Sequence, residues 1–239
     1  MQTLIKCISI GVPGIVDKEQ GTSVHAYGIW DESVDIRSLF AKELSLPVII
    51  ENNVNAFSTA EILFGAGRSY ESLLVIKWGP GVGSAIVTEK KVYEGRHGKT
   101  AELGHFIVDK SGKKCSCGRT GCLETMLSYS ALKEISEFDP DDFGSAYSSS
   151  SGSVKKAFDE AIDLFARSIV NAGTIIAPNR IILSGSLFKD EVIRNVLIDC
   201  CKKYDSAYNE KRICYTALSS CESYIGPVAV YVSEYVFND

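Results

Sequence analysis

Strand patterns alternating with helix patterns predict an α/β layered fold with a largely parallel sheet. Three observations carry this expectation. Short apolar runs bounded by glycine recur along the 239 residues: LIKCISIGVPG near the start, PVIIE at 47–51, SLLVIKW at 72–78 and RIILSG at 180–185. Between them lie segments with helical spacing, clearest in Val154–Ile176, where Phe158, Ile162, Phe165, Ile169 and Ala172 recur every three or four residues. An apolar content of 45% is enough to bury one large core or two small ones.

The first run reads as a buried strand ending in a Gly-Val-Pro-Gly turn. A polar loop follows, then a helix around Val34–Leu44 and a strand at Pro47–Glu51. A second helix runs from about Asn53 to Leu63, stopped by Gly65 and Gly67. SLLVIKW leads into the turn GPGVGSAIV, which re-enters a strand. A helix is expected around Thr125–Glu137. Residues 139–153, DPDDFGSAYSSSSGS, read as a flexible surface loop because serine, aspartate and glycine dominate them. After the long helix and RIILSG come a helix around Asp190–Lys203, a strand near Arg212–Ala217 and a helix opening at Gly226-Pro227. Proline is well tolerated in a first helical turn. No repeat at solenoid periods is visible.

Charge and composition exclude several classes. Net charge is −5, and no basic cluster exceeds two or three residues, so this segment carries no electrostatic footprint for nucleic acid. No run of 18 apolar residues offers a membrane span, and the start lacks the parts of a signal peptide. Of eight cysteines, Cys7, Cys200, Cys201, Cys214 and Cys221 are scattered through apolar segments. An odd remainder of this kind fits a reduced cytoplasm better than a disulfide framework.

The most informative stretch is His105–Glu124, HFIVDKSGKKCSCGRTGCLE. Cys115, Cys117 and Cys122 can close a tight knuckle around a metal, with His105 completing a tetrahedral set suited to zinc. Gly118 and Gly121 supply the turns that let close sulfurs converge. The competing reading is three reduced thiols near an unrelated histidine. Four protein ligands close the site, which argues for a structural rather than a catalytic ion. Acids bracket the knuckle: Glu102 lies three residues before His105 and Glu124 two after Cys122. Pinned carboxylates near Asn52 and Asn53 would suit a polyhydroxylated ligand such as a sugar; equally, both acids could be solvated loop charges.

Two glycine motifs need weighing. GPGVG, with Gly79, Gly81 and Gly83, lies between strand-like runs and could wrap a phosphate with backbone amides, although Pro80 removes one donor. Gly98-Lys99-Thr100 resembles the tail of a P-loop, but the glycine required five positions earlier is Tyr93, so the match fails.

The assembled motifs resemble the ROK family of sugar kinases and sugar-responsive repressors, over nearly the whole chain from about Ile8. The matching residues are ISIGVPGIVD, PVIIENNVNAFSTAE followed by FGAG, GPGVG, AELGH and CSCGRTGCLE. The knuckle with its upstream Glu-x-x-His is the most specific of them. The resemblance implies an actin-like ATPase (ribonuclease H-like) fold of two lobes: residues 1–72 as the remainder of the first, 73–225 as the second with the zinc knuckle at 102–124, and 226–239 as a terminal helix returning to the first. It implies structural zinc on His105, Cys115, Cys117 and Cys122. It also implies sugar hydroxyls held by Asn52, Asn53, Glu102, His105 and Glu124, with His105 assigned first to the metal. A homodimer is expected on the same ground.

Three departures from the pattern bear on activity. The kinases' E-N-D-x-N aspartate, the general base for the attacking sugar hydroxyl, is here Asn53 in Glu51-Asn52-Asn53-Val54-Asn55. An amide is no base near neutral pH, and such a base is worth about 10²–10⁴ in rate. Asn53 can still bind a hydroxyl, and it can equally cap the following helix. The kinases' G-T-G is Gly79-Pro80-Gly81, and their double-glycine turn beside adenosine is Ser184-Gly185-Ser186. Together these weaken the case for ATP and magnesium. Finally, nothing before Ile5 supplies the family's opening strand pair or the repressors' DNA-binding head. The expectation is a sugar-binding regulator domain without kinase activity. The alternative is an ATP-dependent sugar kinase using Asp17 or Glu51 as a substitute base.

Overall fold

The computed structural model describes residues 5–26, 29–30, 32–95 and 99–237. Leu4 of the first run, Gly98 of the failed P-loop match and the last two residues of the terminal segment lie outside them. Strand β1 (Ile8–Val12) pairs in parallel with β5 (Val48–Asn52), Ile8 opposite Val48 and Val12 opposite Asn52. Between them in sequence lie a small antiparallel sheet of β2 (Ile15–Asp17), β3 (Thr22–His25) and β4 (Val34–Asp35), then helix α1 (Ile36–Leu44). Asp35 caps α1 by accepting from the Ser38 N–H at 2.9 Å. Val12, Val16, Ile36, Val48 and Ile50 form the small core of this region.

Helix α2 (Asn53–Leu63) leads from β5 into a five-stranded sheet of order β10-β9-β6-β7-β8. Its strands are β6 (Leu73–Trp78), β7 (Val82–Thr88), β8 (Lys91–Val92), β9 (Arg180–Ser184) and β10 (Ile213–Tyr215). β6, β9 and β10 run parallel, whereas β6–β7 and β7–β8 are antiparallel pairs. The sheet is therefore mixed rather than largely parallel. The reason is the turn at 79–81: so short a connection can only fold a strand back as a hairpin.

The two faces of the sheet bury different partners. Leu74, Ile76, Trp78, Ile181 and Leu183 face the main core with Phe158, Phe165 and Ile169 of α6 (Gly152–Ile176) and with Leu197 of α7 (Glu191–Tyr204). Leu73, Val75, Val87 and Ile182 face Phe57 of α2 and Ile225 of α8 (Glu222–Tyr235). Alternation along β6 thus puts Lys77 on the α2–α8 face. α8 also packs on β1, where Val230 joins Ile49 and Ala56 in a fourth cluster.

Three expectations for this part of the chain are corrected. The helix expected around Thr125–Glu137 is two short ones, α3 (Glu124–Leu127) and α4 (Tyr129–Lys133). Ser128 between them is extended (φ −58°, ψ 156°), and its hydroxyl accepts from the Ala131 N–H, so it caps the second at the expense of continuity. Residues 139–153 are not a loop throughout: Asp139 caps a 3-10 turn at Pro140–Asp142, and α5 (Phe143–Ser149) follows. Phe143 and Tyr147 are buried, and that apolar pair overrides the polar composition around it. Helix α8 opens one turn before Gly226-Pro227, with Pro227 inside it. Gly226 serves close packing instead, since a Cβ there would lie 2.9 Å from the Phe57 N of α2.

Candidate functional site

The knuckle begins where a 3-10 turn (Leu103–His105) ends a loop crossing β7. Short bridges, Ile107 with Cys122 and Lys114 with Thr120, fold 106–123 back on itself, and the Leu123 N–H donates to Phe106 O at 2.8 Å. Gly121 has φ +74°, and its Cα passes so close to Asp109 O that no side chain fits. Within this frame His105, Cys115, Cys117 and Cys122 present ligand atoms that all lie within 4.8 Å of one another. His105 Nδ1 is 3.5 Å from Cys115 Sγ, and Cys117 Sγ is 3.6 Å from Cys122 Sγ. Tetrahedral Zn–S bonds of about 2.3 Å put neighbouring sulfurs about 3.8 Å apart, so the spacing fits such an ion.

The electrostatics of the cluster also suit a metal. Burial, and then the Arg119 charge, lower the His105 pKa and favour the neutral imidazole that a metal needs. Burial opposes ionisation of Cys117, but bonds from Arg119, whose Nε lies 3.5 Å from the sulfur, bring that thiol down to about 7. Cys122, pushed up by burial and by its bond with Cys117, moves to about 12. None of the eight cysteines is in a disulfide.

Beside the knuckle opens a cleft of about 470 Å³ between the start of α2 and the end of β6. Asn52, Asn53, Glu102, His105, Glu124 and Lys77 all line it, so the structure brings together the two acids and two amides that the sequence offered for a sugar. His105 faces both ways: Nδ1 looks into the cysteine cluster while Nε2 lies 3.7 Å from Glu102 Oε2. Burial raises the Glu102 pKa, with the nearby Glu124 charge adding to it, and burial likewise raises that of Glu124. Glu124 Oε2 accepts from the Val82 N–H at 2.9 Å, and the Gly81 Cα packs beneath that carboxylate so closely that a Cβ would collide with it.

The two asparagines divide the work differently from expectation. Asn52, not Asn53, is the cap of α2: its Oδ1 accepts from the Val54 and Asn55 N–H groups at 2.8 and 3.0 Å, and its Nδ2 donates to Gly14 O. No hydrogen bond among the described residues uses the Asn53 side chain. That amide stands in the cleft with both its donor and acceptor groups available.

The glycine loop lines the cleft through Gly79, Gly81 and Gly83, but its amides are largely committed. The Gly79 N–H donates to Gly81 O at 2.9 Å, the Val82 N–H goes to Glu124, and Pro80 has none. Gly185 does not line the cleft; its φ of +131° and close approach to Trp78 O explain the glycine without a ligand. The proposed substitute bases are also placed elsewhere. Glu51 is buried against Lys18 at 2.8 Å, Asp17 accepts from the Gln20 N–H, and neither lines the cleft.

Two functional groups, Lys77 and Glu61, are not legible in the sequence. Lys77 lines the cleft and pairs with Glu222 at 2.6 Å. A lysine ending an otherwise apolar strand was the available signal. Glu61, fully buried, clamps the turn after α2 by accepting from the Ala66 N–H at 2.8 Å and from the Thr216 hydroxyl, and burial raises its pKa.

Comparison with known proteins decides the family. The profile of the ROK family matches residues 1–227. The chain belongs to the ROK family. Among curated ROK relatives, the Thermotoga maritima glucokinase is 36% identical over 129 residues, 54% of this chain and 41% of the relative. The xylose repressor of Caldicellulosiruptor bescii is 37% identical over 128 residues, 54% of this chain and 32% of the relative. The matches therefore span well under half the length of these relatives. A solved ROK family glucokinase from Streptomyces griseus, in complex with glucose and AMPPNP, superposes with a TM-score of 0.78 at 23% identity, covering 95% of this chain and 81% of that one. The ROK chain thus has the actin-like ATPase fold that its motifs imply. Among the described residues no helix is long and apolar enough to cross a membrane.

Proposed function

We propose that this ROK chain is a sugar-binding regulator domain, held in shape by structural zinc and without sugar kinase activity. The observation that carries the reading is Asn53: an unengaged amide in the cleft, where the family's kinases resemble one another in having an aspartate. It can donate to and accept from hydroxyls but cannot take the proton that phosphoryl transfer requires. The glycine loop supports the same view, since Pro80 and the internal bonds of Gly79 and Val82 leave few amides for a chain of phosphates. Glu102 and Glu124 would accept from sugar hydroxyls on one side, and His105 Nε2 would stand near them, while zinc on Nδ1 and the three sulfurs would fix that whole wall. Sugar bound across the cleft would shift the elements on its two sides relative to one another, which in a longer regulator would be passed to DNA-binding elements. The chain would work in the cytoplasm, as a homodimer.

The kinase reading keeps one observation in its favour: a glucokinase is among the relatives at 36% identity. A coupled ADP-release assay with magnesium ATP and glucose, N-acetylglucosamine, fructose, mannose or xylose separates the two. The expected result is background turnover with every sugar, alongside a thermal shift from at least one. Turnover well above background with any sugar overturns the regulator reading.

A further inference from the structure

We propose that the sugar taken by this cleft is phosphorylated, its phosphate monoester held by Lys77 beside the Ser184 hydroxyl. This rests on the reading of the cleft as a sugar site and adds a charge requirement to it. Lys77 is the one lysine or arginine among the described residues that line the cleft, whose remaining charged groups, Glu102 and Glu124 with His105, sit by the knuckle. The cleft therefore has an acidic end suited to hydroxyls and, at its other end, one lysine that an anion could hold if it replaced the Glu222 carboxylate now balancing it.

Sheet register sets a buried hydroxyl next to Lys77, behind the residues that line the cleft. Lys77 lies opposite Ser184 on β9, and both belong to the alternation that includes Val75 and Ile182, so both side chains leave the α2–α8 face. Ser184 is 1% exposed, and its Oγ has no hydrogen-bond partner among the described residues. A buried hydroxyl left unpaired costs stability, and a ligand oxygen placed between it and Lys77 would satisfy it. At present Lys77 is occupied by the Glu222 carboxylate at 2.6 Å, with the two side chains 28% and 16% exposed. That carboxylate stands where an external anion would bind. A phosphate carries more charge and more acceptor oxygens, so it can displace a single carboxylate from a lysine.

A nucleotide is the other source of a phosphate, and the loop disfavours it. A triphosphate needs a run of backbone donors, and Gly79, Pro80 and Val82 offer none. One phosphate needs only the lysine and a hydroxyl. The cleft volume of about 470 Å³ lies at the small end of the roughly 300–1,000 Å³ usual for ligand sites, which suits a hexose phosphate alone better than a sugar with a nucleotide.

Isothermal titration of zinc-quantified protein with glucose, glucose 6-phosphate, mannose, mannose 6-phosphate and AMPPNP tests this. At least one phosphosugar should bind about tenfold or more tightly than its parent, with the preference shrinking as salt rises. Lys77→Met should shrink that preference about tenfold, and Glu222→Gln, which releases Lys77, should strengthen phosphosugar binding. A purely structural ion pair would give lower melting temperatures in both variants and an unchanged preference, which overturns the proposal. Parent sugars binding as well as their phosphates would also overturn it while leaving the sugar site standing. Tighter binding of AMPPNP than of any phosphosugar would assign Lys77 to a nucleotide and overturn it. If neither parent nor phosphosugar binds, the sugar reading falls as well.

Discussion

Gly81 and Glu124 couple the glycine loop to the acidic wall, and Gly81→Ala isolates that coupling. The new Cβ would meet Glu124 Oε2 well inside contact distance and Cδ at 3.2 Å. Gly81 does not have a positive φ, so the cost is collision rather than backbone strain. The carboxylate cannot retreat freely, because Oε2 accepts from the Val82 N–H at 2.9 Å and Val82 is 5% exposed. Moving it by the necessary ångström breaks a bond to a charged acceptor, worth about 1.5–3 kcal/mol, and leaves a buried donor unpaired. Glu124 is half-buried, so solvent recovers part of this and about 1–2 kcal/mol remains. For a chain of this length that is a drop of roughly 2–8 °C in melting temperature. Sugar affinity, read by titration, should fall in parallel because the acid no longer points into the cleft. Glu124→Gln is the control: it keeps an acceptor oxygen, so it should melt closer to wild type yet still bind sugar weakly. A Gly81→Ala protein that melts within about 1 °C of wild type and binds sugar normally would refute the reasoning.

Two further predictions follow from the same geometry. Asn52→Ala should lower stability by about 0.5–2 kcal/mol through loss of the α2 cap, whereas Asn53→Ala should leave the melting temperature nearly unchanged and weaken sugar binding; thermal denaturation and titration of both variants check the contrast. Burial raises the Glu61 pKa above its ordinary 4.5, so the folded state holds that proton more tightly than the unfolded state does. The associated stability is present below pH 4.5 and is lost as pH rises through the folded value. Glu61→Gln should therefore flatten the decline in melting temperature above pH 4.5, and an unchanged pH profile would contradict it.

The parts legible in the sequence are those where one local pattern decides. The 25-residue α6 follows from its apolar spacing, and α2 has the expected bounds because glycines stop it. The knuckle is legible because its candidate ligands are close in sequence and the turns between them need glycine. Failures occurred where a residue's role depends on a distant partner. Ser128 reads as a helix residue until its hydroxyl is seen capping α4, and Phe143 and Tyr147 reverse the polar look of 139–153 only once a core exists to take them. Asn52 and Asn53 look interchangeable along the chain, yet the geometry of the β5–α2 junction commits one to the backbone and leaves the other in the cleft. Lys77 is not legible in the sequence because Glu222, its partner, lies 145 residues away.

The central claim is that a bound metal holds the acids in position for a sugar. Titrating the best-binding sugar into zinc-loaded protein, and again after removing zinc with a chelator, tests it most directly, with Cys117→Ala as the genetic equivalent. The account predicts that both treatments lower the melting temperature and weaken sugar binding about tenfold or more. Full sugar affinity in protein shown by metal analysis to contain no zinc would contradict it.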